Sequence, residues 1–178
     1  MKPLLKMLIP ILLLFAVQYA WAELEMGKAP KTVTLQEKLG GHLDGSPWSS
    51  SQFKGKVSVL FYVDPDEKDL NNEASEALKA ADFPLEKYQS FAIINMAATW
   101  LPNFAISSSL EEKQKQYKNT IYVRDYKKVL VKEWGLTDDT SDVLVFNKTG
   151  YLIFRKDGKL NEEEIKTLVK AVGEAIEK

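Results

Sequence analysis

The chain has 178 residues and no cysteine, and its 24 basic and 25 acidic residues give a formal net charge of −1. Without a thiolate, the chain cannot carry out thiol–disulfide exchange or thiol-based peroxidase chemistry. The charge balance provides no positive surface for nucleic-acid phosphates, so we expect no nucleic-acid partner.

The first 22 residues have the organisation of a secretory signal peptide. Lys2 and Lys6 precede a short apolar run at residues 8–17. A small-x-small motif then ends at Ala22, which predicts cleavage between Ala22 and Glu23. An uncleaved membrane anchor is the alternative, but a span takes about 20 apolar residues and this run is about half as long. We therefore expect an exported domain of residues 23–178, with a net charge of −3 and no membrane-spanning segment after cleavage.

The first half of this domain alternates strand and helix patterns. β-Branched residues predict a short strand at 32–35, and turn signals follow it. An almost continuously apolar run, Val57–Val63, is typical of a central strand covered on both faces. Apolar residues at helical spacing from Leu70 to Ala81 predict a helix, and an apolar run at 91–96 predicts the next strand.

The second half continues the alternation and ends in a hairpin and a helix. An irregular segment at 97–107 precedes a polar helix, which capping boxes beginning at Ser108 or Ser109 open toward Tyr117. The later elements are a strand at 121–123, a helix at 128–134 stopped by Gly135, a hairpin of 143–146 with 151–154, and a last helix capped by Asn161 and Glu164.

This order of elements predicts the fold class. Strands that alternate with helices require a sheet with parallel pairs and with helices on both faces. The final hairpin adds antiparallel strands to that sheet. We therefore predict an α/β fold: a three-layer α/β/α sandwich with a mixed central sheet and an N-terminal β-hairpin extension.

Two sets of motifs carry a family resemblance. The first runs from Asp44-Gly45-Ser46-Pro47 through Lys54-Gly55-Lys56-Val57 to Phe61-Tyr62, and the second includes Trp134-Gly135-Leu136 and Asn147-Lys148-Thr149-Gly150. They resemble the peroxiredoxin-like and periplasmic thiol-disulfide reductase branch of the thioredoxin superfamily, which implies a thioredoxin-like fold over residues 30–176. The chain is most similar to the exported YtfJ-type group, which lacks the redox pair and implies a periplasmic location.

The chain departs from that branch at both parts of the redox site. Counted from Phe61-Tyr62, the positions of the two cysteines fall on Asp66 and Asp69. The position of the branch's cis-proline falls on Ser141, after Thr140, and no proline is present there. The loss of both parts indicates a domain with another use, not an enzyme with one altered residue.

The acidic loop of Asp64, Asp66, Glu67 and Asp69 is the sharpest candidate for a site. Carboxylates at Asp64, Asp66 and Asp69 could hold Ca²⁺ or Mg²⁺, although the spacing is not that of an EF-hand. We favour a helix start in which the acids complement the helix dipole, and we predict no metal and no cofactor. The loop can still serve in interaction, because it occupies the edge where this fold normally meets its partners.

Two further features are open to more than one interpretation. His42, the only histidine, is interpreted as a solvated turn residue, because no serine motif or cysteine accompanies it for nucleophilic or zinc chemistry. Trp100 and Phe104 could form an apolar contact patch for a partner. Large aromatic side chains are usually mostly buried, however, so we expect this pair to fold over the edge of the sheet.

The leading hypothesis is a non-catalytic, exported thioredoxin-like domain that binds an envelope protein or a small ligand. Its contact surface would combine the acidic loop with Thr140 and Ser141, the other former redox-site positions. The alternative is an enzyme or binding module that uses a divalent cation in the acidic loop. A structural role through self-association is a third possibility.

Overall fold

The structure, a computed structural model, describes residues 24–178. The predicted signal peptide and its cleavage position between Ala22 and Glu23 lie outside these residues. Among the described residues, no helix combines the length and the apolar character that a bilayer crossing requires.

The elements follow one another in the predicted order. The strands are β1 (Thr34–Leu35), β2 (Gly40–His42), β3 (Trp48–Ser49), β4 (Val57–Val63), β5 (Tyr88–Asn95), β6 (Thr120–Asp125), β7 (Ser141–Phe146) and β8 (Leu152–Lys156). The α-helices are α1 (Asn72–Ala80), α2 (Asn103–Gln116), α3 (Val129–Trp134) and α4 (Glu162–Glu177). Short 3₁₀ helices precede β2, β4 and α1.

Six of the strands form one mixed sheet in the order β2-β6-β5-β4-β7-β8. Strands β4, β5 and β6 are parallel, whereas β2, β7 and β8 run antiparallel to their neighbours. The crossovers after β4 and β5 place α1 and α2 on one face together with α4, and α3 covers the other face. This arrangement confirms the predicted α/β/α sandwich with a mixed sheet.

The N-terminal extension is more elaborate than a simple hairpin. Strands β1 and β3 pair antiparallel, with Leu35 opposite Trp48, whereas β2 between them pairs with β6 at the edge of the main sheet. Trp48 is fully buried and makes edge-to-face contacts with Phe53 and Phe91. The extension therefore completes the core on the α3 face.

Each face of the sheet has its own hydrophobic core. All seven residues of β4 are buried, and their side chains alternate between the two faces. Val59 and Phe61 enter the core under α1, α2 and α4, while Leu60 and Tyr62 enter the core under α3. The almost continuously apolar pattern of this strand is explained by that double coverage.

Both predicted helix signals near the end of the chain are confirmed. Asn161 accepts a hydrogen bond from the Glu164 backbone N–H, and the Glu164 side chain accepts one from the Asn161 backbone N–H, which completes a capping box on α4. Gly135 ends α3 in the left-handed conformation with φ of 63°. Both signals are local, so they depend little on the rest of the fold.

α1 begins after the acidic loop, not within it. The Asp64 side chain accepts a hydrogen bond from the Asp66 N–H at 2.8 Å and so caps the 3₁₀ turn Pro65–Glu67. The α-helix itself begins only at Asn72. The predicted N-cap and acidic first turn are therefore present in the 3₁₀ turn, but Asp66 and Asp69 do not start α1 itself.

Asn71 immediately precedes α1, and its side chain bonds other elements and does not cap the helix. Its Nδ2 donates to the carbonyl oxygens of Ser141 at 3.0 Å and Gly158 at 3.1 Å. Its Oδ1 accepts a hydrogen bond from the Leu160 N–H at 3.0 Å. Contacts with residues 70 to 89 positions away along the chain thus anchor the end of the acidic loop.

α2 begins five residues before the first predicted capping box. Pro102 occupies the position before the helix with φ of −60°, a value that its ring fixes and that suits a helix start. Ser108 lies inside the helix, where its hydroxyl donates to the Phe104 carbonyl at 3.1 Å. The capping boxes predicted to begin at Ser108 and Ser109 are therefore wrong.

Gly40 is a point of very close approach between β2 and β6. A Cβ there would lie 1.8 Å from the Arg124 carbonyl oxygen, and φ is 134°. Gly45 also has a positive φ, 86°, but a Cβ there would meet no atom within 4 Å. We expect Gly45→Ala to lower the free energy of unfolding by about 1 kcal/mol and Gly40→Ala to lower it several-fold more. Chemical denaturation measures both losses, and equal losses would contradict the steric contact.

Candidate functional site

The parallel strands β4, β5 and β6 end at one side of the sheet, which we call the carboxyl edge. Loops at this position form the usual binding region of open α/β sheets. The segments here are 64–71, 96–102, 126–128 and 135–140. Every residue predicted for the interaction loop or the apolar patch lies on them, except Phe104 in the first turn of α2 and Ser141 at the start of β7.

The two parts of the former redox site are brought together at this edge. The Asp64 N–H donates to the Thr140 carbonyl at 3.0 Å, and Val63 lies opposite Ser141 in the sheet. Ser141 is buried. Among residues 24–178 every peptide bond is trans, including the one that precedes Ser141. Thr140 and Ser141 therefore contribute backbone pairing that holds the acidic loop against β7.

The acidic loop presents three of its four carboxylates to solvent. Asp66, Glu67 and Asp69 are exposed, whereas Asp64 is buried. Burial raises the pKa of Asp64, and the negative charges of Asp66, Asp139 and Glu67 raise it further, against a hydrogen bond from the Asp66 N–H. Asp139, which is exposed, therefore belongs to the same negative region. We call Asp66, Glu67, Asp69 and Asp139 the acidic surface.

The described part of this edge does not form a cation site. Within residues 24–178, no three His, Cys, Asp or Glu side chains converge closely enough to hold a metal ion. Asp64 already accepts from the Asp66 N–H, and Asp69 Oδ1 accepts from Asn72 Nδ2 at 3.1 Å. The divalent-cation alternative through Asp64, Asp66 and Asp69 gains no support from this geometry.

Trp100 and Phe104 are exposed, so the prediction that they fold over the sheet edge is wrong. The exposed fraction is 88% for Trp100 and 75% for Phe104. Phe104 precedes the buried Ile106 by two residues, which places it about 200° around the helix. The burial of Ile106 and Leu110 against the sheet sets this phase. We call Trp100, Leu101 and Phe104 the apolar patch, since all three have exposed apolar surface.

A groove of about 560 Å³ separates α1 from α2 on the sheet face that they cover. Its floor includes Ser90, Ala92 and Ile94 of β5, and its walls include Ser75 of α1 and Ser109 of α2. Small side chains at four of these positions leave space that larger ones would fill. The volume lies within the range of about 300–1,000 Å³ that is typical of ligand sites.

The groove connects the acidic surface with the apolar patch. Asp69 and Leu101 both line it, next to Ser141 at the carboxyl edge. Lys113 and Tyr117 line its other end, because α2 runs from the carboxyl edge back along the sheet. A ligand in the groove would therefore contact features that the sequence places on separate segments.

His42 opens a turn, as predicted, since the Gly45 N–H donates to its carbonyl oxygen at 3.0 Å, but it is also a strand residue and is not fully solvated. It ends β2 opposite Val123, and pairing with β6 carries the strand through it. The side chain is half-buried, with its Nε2 at 3.4 Å from Gln52 Nε2. Burial lowers the pKa of His42, while the negative charge of Asp44 opposes that change.

A buried polar cluster lies beneath the carboxyl edge, on the α3 face of the sheet. It consists of Tyr62, Asn95, Asp125 and Asp142, all fully buried. This cluster is not among the residues that the sequence motifs predict. A signal was present in β7, where Asp142 precedes the buried Leu144 by two residues and so shares its face of the strand.

Asp125 connects three elements through one carboxylate. It ends β6, and its Oδ1 accepts from the backbone N–H groups of Lys127 at 3.1 Å and Val129 at 2.9 Å. Its Oδ2 accepts from the Leu130 N–H at 3.0 Å and from the Tyr62 hydroxyl at 3.1 Å. Burial raises the pKa of Tyr62, and the charge of Asp125 raises it further. The hydroxyl therefore stays protonated and donates.

The remaining members hold the segment before β7. Asn95 Nδ2 donates to Asp138 Oδ1 at 2.8 Å, and Lys128 Nζ donates to Asp138 Oδ2 at 2.6 Å. Asp142 Oδ2 accepts from the Thr137 N–H at 2.7 Å. Within the described residues, Asn95 and Asp142 each keep one buried oxygen without a hydrogen-bond partner.

Comparisons with known proteins find relatives over most of the chain. Residues 33–175 match the family described as "Bacterial protein of unknown function (YtfJ_HI0045)". The chain is 32% identical over 126 residues to the uncharacterized protein YtfJ of Escherichia coli K12, which covers 68% of each chain. It is also 32% identical over 130 residues to an uncharacterized protein of Haemophilus influenzae, covering 71% of this chain and 70% of the other.

Similar solved structures have the thioredoxin-like fold. The thioredoxin domain of a thiol-disulfide oxidoreductase from Bacteroides vulgatus has a TM-score of 0.61 at 16% identity, covering 84% of this chain and 99% of its own. The exposed lipoprotein thioredoxin Etrx1 of Streptococcus pneumoniae has a TM-score of 0.55 at 17% identity, covering 79% of this chain and 98% of its own. These likenesses confirm the predicted thioredoxin-like fold.

Removal of the Asp125 carboxylate would leave three backbone N–H groups and the Tyr62 hydroxyl without an acceptor. Each unsatisfied buried polar group costs about 1–3 kcal/mol, so we expect Asp125→Ala to lower the free energy of unfolding by at least about 3 kcal/mol. Asp44→Ala removes an exposed carboxylate bonded to the Ser46 N–H and should leave the free energy of unfolding close to that of the wild type. Chemical denaturation compares the variants, and a small loss for Asp125→Ala would count against its central position.

Burial raises the pKa of Asp142 from 3.8 to about 6. The folded state therefore binds this proton more readily, and the resulting stabilisation is complete below about pH 4 and is lost as pH rises through 6. Asp142→Asn keeps an acceptor for the Thr137 N–H and removes the charge. The difference in free energy of unfolding between the variant and the wild type should therefore shift by about 2–3 kcal/mol in favour of the variant from pH 4 to pH 7.5. Denaturation at both pH values measures this gain, and a pH-independent difference would refute it.

Proposed function

We propose, since the chain belongs to the YtfJ_HI0045 family of bacterial proteins of unknown function, that it is an exported, non-redox thioredoxin-like domain that binds another protein of the bacterial envelope. The observation that carries this function is the apolar patch, which lies exposed beside the acidic surface at the carboxyl edge. The predicted signal peptide supports a periplasmic location.

The former redox positions favour a surface role. Asp66 and Asp69 stand where the resemblance places the cysteines, and both are exposed. A carboxylate cannot attack a disulfide, because that reaction needs a thiolate. The backbone hydrogen bond from Asp64 to Thr140 still fixes the loop. The edge thus keeps its shape and offers carboxylates in place of a reactive group.

The apolar patch favours a protein partner. Contiguous exposed apolar surface marks interaction sites, and tryptophan is enriched among the residues that contribute most to protein–protein affinity. Trp100 and Phe104 expose most of their surface. The neighbouring carboxylates of Asp66 and Asp69 would supply the polar rim that surrounds such a contact.

Crosslinking in intact cells, followed by mass spectrometry of the captured proteins, tests this function. We expect the wild-type protein to capture a specific partner and Asp66→Ala/Asp69→Ala to capture several-fold less of it, because two contact carboxylates are removed. Trp100→Ser/Phe104→Ser should also reduce capture. All four side chains are exposed, so the variants should fold, and circular dichroism verifies this.

Glu174→Ala/Glu177→Ala is the matched control, because it removes the same charge from exposed positions on α4. Its capture should equal that of the wild-type protein. Capture that neither pair of edge variants reduces would contradict the proposed function. Turnover of a disulfide substrate such as insulin by the pure protein would contradict it as well.

A further inference from the structure

We infer that the groove between α1 and α2 receives an extended peptide segment of the partner. The segment carries apolar side chains in its middle, a positive charge at the carboxyl edge and a negative charge near Lys113. This inference rests on the proposed function and gives the chemistry of the partner's contacting segment.

The dimensions of the groove suit an extended chain. Along the floor, Ser90 to Ile94 of β5 spans about 13 Å at 3.3 Å per residue. Along one wall, Ala105 to Lys113 of α2 spans about 12 Å at 1.5 Å per residue. Both elements line the same groove, and the two lengths agree. An extended segment of about five residues has the same length.

The lining matches a peptide better than a hydrocarbon chain. Apolar side chains on the floor, such as Ile94, can pack against apolar side chains of the segment. The walls carry hydroxyl and amide groups: Ser75 and Asn72 on the α1 side, and Ser109 and Gln116 on the α2 side. An extended backbone has N–H and C=O groups along both of its sides, which these groups can bond. A fatty acyl chain would leave these wall groups unused.

Opposite charges at the two ends of the groove determine which end of the segment carries the positive charge and which the negative charge. Asp69 lines the carboxyl-edge end, where the exposed Asp66 and Glu67 add negative charge that outweighs the single positive charge of Lys68, which also lines this end. At the other end, Lys113 forms no ion pair within 4.0 Å among the described residues. Glu76 also lines the groove but is paired with Lys79 at 3.5 Å. Lys113 is therefore available to an acidic side chain of the bound segment.

The apolar patch extends the contact beyond the groove. Leu101 lines the groove at the carboxyl edge, and Trp100 precedes it in the same loop. A segment that leaves the groove on this side passes next to the patch. This arrangement gives the exposed Trp100 a partner and joins the groove and the edge into one binding surface.

The probe is a pool of N-acetylated, C-amidated pentapeptides with the sequence Lys-x-x-x-Glu, in which x is Leu, Val or Phe. Titration into ¹⁵N-labelled protein should shift the NMR amide signals of Ser90, Ala92 and Ser109. Ser109→Phe fills the groove from an exposed position and should weaken binding at least about tenfold. Ser108→Phe, on the same helix outside the groove, should leave binding within about twofold of wild type.

A second pair of variants tests whether the acidic end of the peptide binds near Lys113. Lys113→Glu should weaken binding of the pool, whereas Lys115→Glu, an equal charge change at an exposed position outside the groove, should not. The effect of Lys113→Glu should shrink as salt is raised, because an exposed ion pair is screened.

Three results would overturn the inference: no amide shifts at millimolar peptide, undiminished binding by Ser109→Phe, or tighter binding of decanoate than of the peptide pool. None of these results bears on the proposed function, which fails if the carboxyl-edge variants capture the partner normally or if the pure protein turns over a disulfide substrate. In the same crosslinking experiment, Ser109→Phe should also capture less partner than Ser108→Phe.

Discussion

The buried carboxylate of Asp125 is the interaction on which the rest of the structure depends. A buried charge is tolerated only where donors surround it, and here three backbone N–H groups and the Tyr62 hydroxyl do so. α3 has only six residues, too few for a helix to persist alone in water, so this cap fixes its place over the second core. The position of α3 then sets the path of segment 135–140 and with it the shape of the carboxyl edge.

The carboxyl edge separates the groups that stabilise the protein from those that can bind. On the α3 side, the polar cluster is buried and holds the segment before β7 through Thr137 and Asp138. On the other side, the acidic surface, the apolar patch and the groove are open to solvent. Substitutions on the open side therefore change the surface without disturbing the cores. This division is what a binding domain requires, because recognition and stability then vary independently.

The parts of the fold that the sequence predicted are those governed by local rules. Strand β4 was predicted from its apolar run, and α4 from its capping box, because each signal lies within one element. The parts that were missed depend on distant residues. The Asn71 side chain donates hydrogen bonds to the carbonyl oxygens of Ser141 and Gly158 and does not cap its own helix. No local sequence pattern predicts these contacts. Likewise, the exposure of the apolar patch follows from the phase of α2, and the Asp64–Asp139 proximity arises only when β4 pairs with β7.

α2 is held to the sheet by few side chains. It buries Ile106 and Leu110, and Gln114 Nε2 donates to the Thr120 carbonyl at 2.9 Å. Exposed helix positions away from such contacts tolerate substitution with little loss of stability. The side chains on one wall of the groove can therefore be substituted while the domain stays folded. Natural or laboratory selection can therefore change the binding specificity of the domain through substitutions in α2, without a change of fold.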